Sequence, residues 1–273
     1  MLLRLIEKDK RGAFMRGKIW SEQETYIAFL LYCQIPFGQI DKRNPKIIEL
    51  ANLLDRTPSS VGMKLCNFAA NDPLIQARGV KGLQNCSIKD KQVFEAFKSD
   101  WDKNLEIAQA YLQDLEAGHI TYQPIEEPQF VIGEYPSIHE RYATVKARAS
   151  QGFFRNAVLA SYKNTCCVTG LSIKETLIAS HIKPWSESAD SEKADPTNGL
   201  CLNSFHDRLF DSGLMTVTPD LIIYYSPKIR EFDVTETEKD WLAKFNNQRI
   251  HVPDKFGPGK EFLEYHNDII FKR

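Results

Sequence analysis

Between Glu175 and Gly213 the sequence reads as strand, loop and short helix in close succession, each with its own stop signal. ETLIASHIKPW reads as a strand that carries His181 at its end and is stopped by Pro184. DPTNGL is a loop, with Asn198-Gly199 as a strong turn signal. NSFHDRLFDSG is a short helix with His206 near its start, closed by Gly213. Together the three segments supply two imidazoles and an amide. That set suits hydrolysis of a phosphodiester. A neutral imidazole can take the proton from an attacking water. An amide can fix geometry. A divalent cation held by a ring nitrogen can stabilise the charge on the phosphate and the leaving 3′ oxygen. Taken singly, each residue is ordinary: a strand-end histidine is mostly a satisfied polar group, and Asn-Gly is mostly a turn.

The rest of the chain has a different texture. The first half reads as helical. Ser21 can cap a helix and Glu24 completes a capping box, with Tyr26, Ile27, Leu30 and Leu31 following at helical spacing. Pro36 and Gly38 end that run. Lys46 to Leu54 is a second helix, and Thr57 caps a third with Pro58 at its first position. Lys89 to Glu116 gives one or two more helices. The stretch 118–137 is rich in Pro and Gly and reads as a linker. Tyr142 to Tyr162 has helical spacing with an expected break near Gly152. Beyond it come the strand-like LIIYYS, a polar helix near 235–245 and a last helix near 259–270, which His266 caps or packs. The expected division is a helical domain over 1–120, a linker over 121–140 and a second domain over 141–273.

Net charge is −1, so composition alone gives no case for a polyanion partner. Distribution gives more. Residues 1–20 and 42–81 are basic, and 100–140 is acidic, as in a neutral protein with one polyanion-binding face. IIELANLLDRTPSSVGMKLCNF describes two short helices joined by a tight turn, a helix-turn-helix pattern. Its second helix would offer Ser59, Ser60 and Lys64 to a DNA groove, with Arg56 in the turn set for the phosphate backbone. An ordinary helical hairpin is the plain alternative. Trp20 and Trp101 read as core residues.

ASHIKPW, DPTNGLCLNSFHDRLFDSGL and the preceding CCVTG resemble the HNH (ββα-metal) endonuclease family, most closely its bacterial restriction-type members. The resemblance is clear over about 150–215, and QGFFRNAVLASYKNTC is similar to the family's lead-in. The N-terminal half, with LLDRTPSSVGMKLCNF, is similar to a segment fused to such nucleases. The fold class implied is α+β: a mostly helical, helix-turn-helix-like domain followed by a ββα-metal nuclease domain with flanking helices. By resemblance, His181 is the general base, Asn198 the motif asparagine and His206 a metal ligand, with Asn198 beside it on the ion. Asp211 falls in the family's FD-x-G segment and looks structural. Lys183 is placed to contact a phosphate. The expected reaction is metal-dependent cleavage of double-stranded DNA to 5′-phosphate and 3′-hydroxyl ends, with Mg²⁺, Mn²⁺ or another divalent cation.

Two departures from the family matter. Many members carry an acid or histidine just before the base, where this chain has Ser180. Only Cys166 or Cys167 and Cys201 sit near the usual ribbon positions, too few for a Cys₄ cage, so no structural zinc is expected. Leu171, Leu177, Leu200 and Leu202 are expected to pack in its place. The six cysteines contain no C-x-x-C, which argues against a disulfide framework. No run of ~18 apolar residues suits a membrane span, and MLLRLIEKDKRGAF is too charged for a signal peptide. A cytoplasmic protein is expected. A restriction-type defence enzyme, sequence- or modification-dependent, is the leading role. The competing classes are a non-catalytic DNA-binding regulator on an HNH-like scaffold and an RNA-cutting effector. A homodimer would suit cutting of both strands, although no residue pattern points to an interface.

Overall fold

The computed structural model describes residues 18–79, 87–119 and 138–273. The basic stretch before Lys18 and most of the expected linker lie outside them. The helical half contains α1 (Glu22–Gln34), α2 (Pro45–Leu53), α3 (Pro58–Ala69), α4 (Pro73–Ala77), α5 (Ile88–Ser99) and α6 (Trp101–His119). Local chemistry sets their starts. Ser21 and Glu24 form the reciprocal capping box of α1. Asn44 caps α2, which begins on Pro45, and Thr57 caps α3, which begins on Pro58. The stretch from Lys89 to Glu116 is two helices, parted at Asp100.

α7 (Ile138–Ser161) then runs on without the break expected at Gly152. No Cβ-sized neighbour and no positive φ marks that glycine, so helical backbone continues through it. The second half follows as β1 (Leu177–His181), α8 (Asp190–Lys193), β2 (Gly199–Asn203), α9 (Ser204–Asp211), β3 (Met215–Val217), β4 (Ile223–Tyr225), α10 (Glu236–Phe245) and α11 (Lys260–Tyr265). A π-helical turn, His266–Ile270, continues α11. The architecture is α+β, as the sequence suggests. β1 and β2 are antiparallel, with Ser180 opposite Leu200 and His181 opposite Gly199. β3 and β4 form a second antiparallel pair.

Among the described residues, two apolar cores result. The first is built from α1, α2, α3, α5 and α6, with Phe29, Tyr32, Phe68, Phe97 and Trp101 at its centre. The second surrounds the β1–β2 hairpin and includes Leu177, Leu200, Leu202, Phe210 and Met215, with Leu171 against it. α7 serves both: Phe153 and Ala157 enter the first core, Phe154 and Val158 the second. A C-terminal segment adds a further joint. Phe256 enters the first core, and the buried Lys255 ammonium donates to the carbonyls of Tyr32 and Ile35 at the end of α1. Burial lowers its pKa to about 8. Among the described residues, no helix is long and apolar enough to cross a membrane.

The α2–α3 pair does form a helical hairpin, but two of its expected DNA contacts are engaged inside the protein. The Arg56 side chain is buried: its guanidinium donates to Glu24 and to the carbonyls of Lys18 and Ile19, and stacks over Trp20 at 4.0 Å. Burial pushes Glu24 up, but the Arg56 and Ser21 hydrogen bonds and nearby cations outweigh it, and its carboxyl is lowered to about 2. Lys64 is 4% exposed and paired with the buried Asp90. Both cations therefore fasten α3 to its neighbours. Ser59 is exposed and Ser60 half-buried at the first turn of α3.

Candidate active site

His181 ends β1 and faces α7. Its ring lies flat on Phe154, with centroids 3.7 Å apart and planes 10° apart, and the edge of Trp185 closes from 5.5 Å. Nε2 is 3.0 Å from the Lys193 carbonyl oxygen. A carbonyl only accepts, so Nε2 carries the proton and the lone pair is on Nδ1. Burial lowers the imidazole pKa, against the opposing carbonyl contact, so the ring is neutral at neutral pH. Nδ1 has no hydrogen-bond partner among the described residues. Gly199, opposite His181, is required by this stack. A Cβ there would meet Val158 and come within 3.0 Å of the Phe154 ring.

Asn198 sits at the turn into β2, fully buried. Its Oδ1 accepts from the Lys183 amide at 2.8 Å, and its Nδ2 donates to the Lys183 carbonyl and to Ser188, each at 3.2 Å. The amide thus pins the loop that follows His181. Both polar atoms of the side chain have protein partners. Lys183, expected at a phosphate, pairs with Glu192 at 2.7 Å and is about one-fifth exposed.

His206, expected as a metal ligand, is fully buried in the first turn of α9, with Nδ1 3.1 Å from Asn203 Oδ1 and Nε2 3.0 Å from the Tyr225 hydroxyl. Trp241 and Phe245 pack around it. Burial lowers its pKa to about 4, so the ring is neutral, and both nitrogens have protein partners. His266 is likewise committed, to Thr216 and the Phe210 carbonyl.

The groups that do line the cleft come one residue later on the same helix. A cleft of about 400 Å³ is bounded by Ser180, His181, Trp185, Asp207 and Asp211, among others. Side chains alternate along a strand, so Ser180 faces α9 where His181 faces α7. Asp207 and Asp211 are one helical turn apart. Burial raises both carboxyls, and for Asp211 the charge of Asp207 adds to it. Ser180 is 3% exposed and its Oγ has no hydrogen-bond partner. It lies close enough to favour the ionised Asp207, but not with the geometry of a bond. No group of three or more His, Cys, Asp or Glu side chains suited to a metal exists among the described residues. Cys166, Cys167 and Cys201 are buried in the second core as free thiols.

A sequence signal for the acidic pair was present. In HDRLFD, His206 shares an i, i+4 stripe with Phe210, and Asp207 shares the next with Asp211. The apolar partner marks the buried face. Phe154 and the Lys193 carbonyl had no such signal. Residues 166–218 match a family model described as HNH endonuclease. No curated protein matches the chain.

Proposed function

We propose, from the premise that residues 166–218 belong to the HNH endonuclease family, that this protein hydrolyses DNA phosphodiester bonds with His181 as general base. The observation that carries the reading is the held imidazole. Phe154 fixes its plane, and the Lys193 carbonyl fixes its tautomer. That leaves Nδ1 to receive the proton of an attacking water. Asn198 supports this arrangement by fastening the loop after β1 to the start of β2. The same loop carries Pro184 and Trp185 to the cleft wall.

HNH nucleases generally use a divalent cation, and the Ser180 hydroxyl with the Asp207 and Asp211 carboxylates gives one a place at the wall of the cleft. Bound there, the cation would supply the positive charge that offsets charge building on the phosphate and leaving oxygen. His181 works from the other face of β1, so the base and the charge-bearing side share one cleft without competing for one proton. A restriction-type role, sequence- or modification-dependent, is the biological assignment we favour. A two-fold pair would let one site per chain cut both strands.

The test is digestion of methylated and unmethylated plasmid DNA with Mg²⁺, Mn²⁺ or EDTA, for wild type and His181→Ala. Metal-dependent cutting that falls at least ~10²-fold in the variant is expected of a lost general base. Cutting at the wild-type rate by the variant would remove His181 from the mechanism. Binding of DNA with no cutting in any metal would favour a non-catalytic regulator, the reading for which Ser180 speaks.

A further inference from the structure

We propose that the cavity between the two halves of the chain, with the Asp195 carboxyl in its wall and Lys98 at its rim, takes a single nucleotide turned out of the DNA stack, an amino-bearing base inside and its phosphate at the lysine. The proposal rests on the nuclease reading for the strand that brings the nucleotide. Its binding chemistry stands without cleavage.

The cavity measures about 390 Å³, within the range of small-molecule sites. Its floor is aromatic, with Phe29, Phe94, Trp101 and Phe256 drawn from α1, α5, α6 and the segment before α11. A flat base packs its face against such a surface. Two aspartates border the cavity, and they differ. Asp72 is spent: Oδ1 accepts from the Leu74 amide and Oδ2 from the Phe256 amide. Asp195 is half spent. Its Oδ1 accepts from both the amide and the hydroxyl of Thr197, each at 2.8 Å, while Oδ2 has no hydrogen-bond partner among the described residues. Burial pushes this carboxyl up to about 7, against the Thr197 hydrogen bonds, and the Glu261 and Glu192 carboxylates add to the rise. A donor N–H at Oδ2 would favour the charged form and relieve that penalty. Lys98 is exposed at the rim and makes no ion pair among the described residues.

These features select the occupant. An ionised carboxylate only accepts. Cytosine, adenine and guanine carry exocyclic amino donors, and thymine has a carbonyl where cytosine has its amino group. A purely cationic aromatic ligand would be repelled by Lys98, whereas a nucleotide uses that lysine at its phosphate. The position also suits a strand lying in the cleft. Glu261 in the cavity wall belongs to α11, and the same helical run carries His266 and Ile270 to the cleft beside His181. From 261 to 270 is roughly 14 Å of helix, about four nucleotide steps along a duplex strand. Thr197, also in the cavity wall, is followed by Asn198, which fastens the loop after His181. The cavity and the base thus share one loop.

The test is binding of dCMP and dTMP to the full chain, followed by ligand-observed nuclear magnetic resonance. The wild type should bind dCMP at least ~10-fold more tightly than dTMP, the weight of one hydrogen bond to a charged group. Asp195→Asn should erase that preference. Lys98→Gln should weaken dCMP while leaving the uncharged nucleoside deoxycytidine unaffected. This lysine is exposed, so its variant keeps the test usable should Asp195→Asn not fold. Equal binding of dCMP and dTMP, a preference that survives in Asp195→Asn, or no dCMP bound by the wild type would overturn the site. Every result is read without cutting, so the assignment of His181 stands or falls on the plasmid digest alone.

Discussion

Replacing Asn198 by Ala separates two roles for the motif asparagine. In the structure the side chain makes three hydrogen bonds to the loop after β1: one from the Lys183 amide, one to the Lys183 carbonyl and one to Ser188. Truncation leaves these partners unequal. The Lys183 carbonyl keeps the Ser188 hydroxyl as a donor, and Ser188 keeps the Lys183 and Pro184 carbonyls as acceptors. The Lys183 amide loses its acceptor, at a cost of roughly 1–3 kcal/mol. A small cavity in a fully buried position adds to this, so about 2–3 kcal/mol is expected in total. For a chain of this size that is a fall in Tm of roughly 4–12 °C. Thermal unfolding by circular dichroism measures the fall, and Mn²⁺ titration of the folded variant at low temperature measures affinity. The expected pair of results is a lower Tm with wild-type Mn²⁺ affinity. An unchanged Tm with at least ~10-fold weaker Mn²⁺ binding would refute the reasoning and make Asn198 a ligand.

Two further outcomes follow from named contacts. Phe154→Leu removes the flat surface beneath His181 while keeping an apolar side chain in the second core. DNA cleavage kinetics should show kcat reduced ~10-fold or more with KM little changed, and Phe154→Tyr should recover most of the rate; a proportionate loss in KM would assign Phe154 to binding instead. Lys255 supplies a pH test. Its folded pKa of about 8 lies below the ordinary 10.5. The unfolded chain therefore binds the extra proton between those values, and this lysine's unfavourable share is full below pH 8 and relieved as pH rises to about 10.5. The relief is on the order of 3 kcal/mol. Urea unfolding from pH 7 to 10.5 should show wild-type stability gaining on Lys255→Met, and a constant difference across that range would show that burial does not penalise this ammonium.

What the sequence determined by itself was local. Ser21 with Glu24, and Thr57 with Pro58, fixed helix starts because a cap is decided within four residues. His181, Pro184, Asn198-Gly199 and Gly213 likewise marked strand end, turn and helix stop in the right order. The family likeness rests on the same words. Partners far along the chain were not legible. Arg56 and Lys64 read as DNA-facing charges because nothing nearby in sequence reveals Glu24, 32 residues away, or Asp90, 26 residues away. The rotation of α9 about its axis was also a tertiary decision. An eight-residue helix offers both His206 and Asp207, and tertiary packing, with Phe210 in the second core and Tyr225, Trp241 and Phe245 around His206, leaves His206 buried and Asp207 at the cleft. Strand alternation puts His181 and Ser180 on opposite faces in any sheet. It took α7 to bring Phe154 under one of them, and α9 to bring carboxylates beside the other.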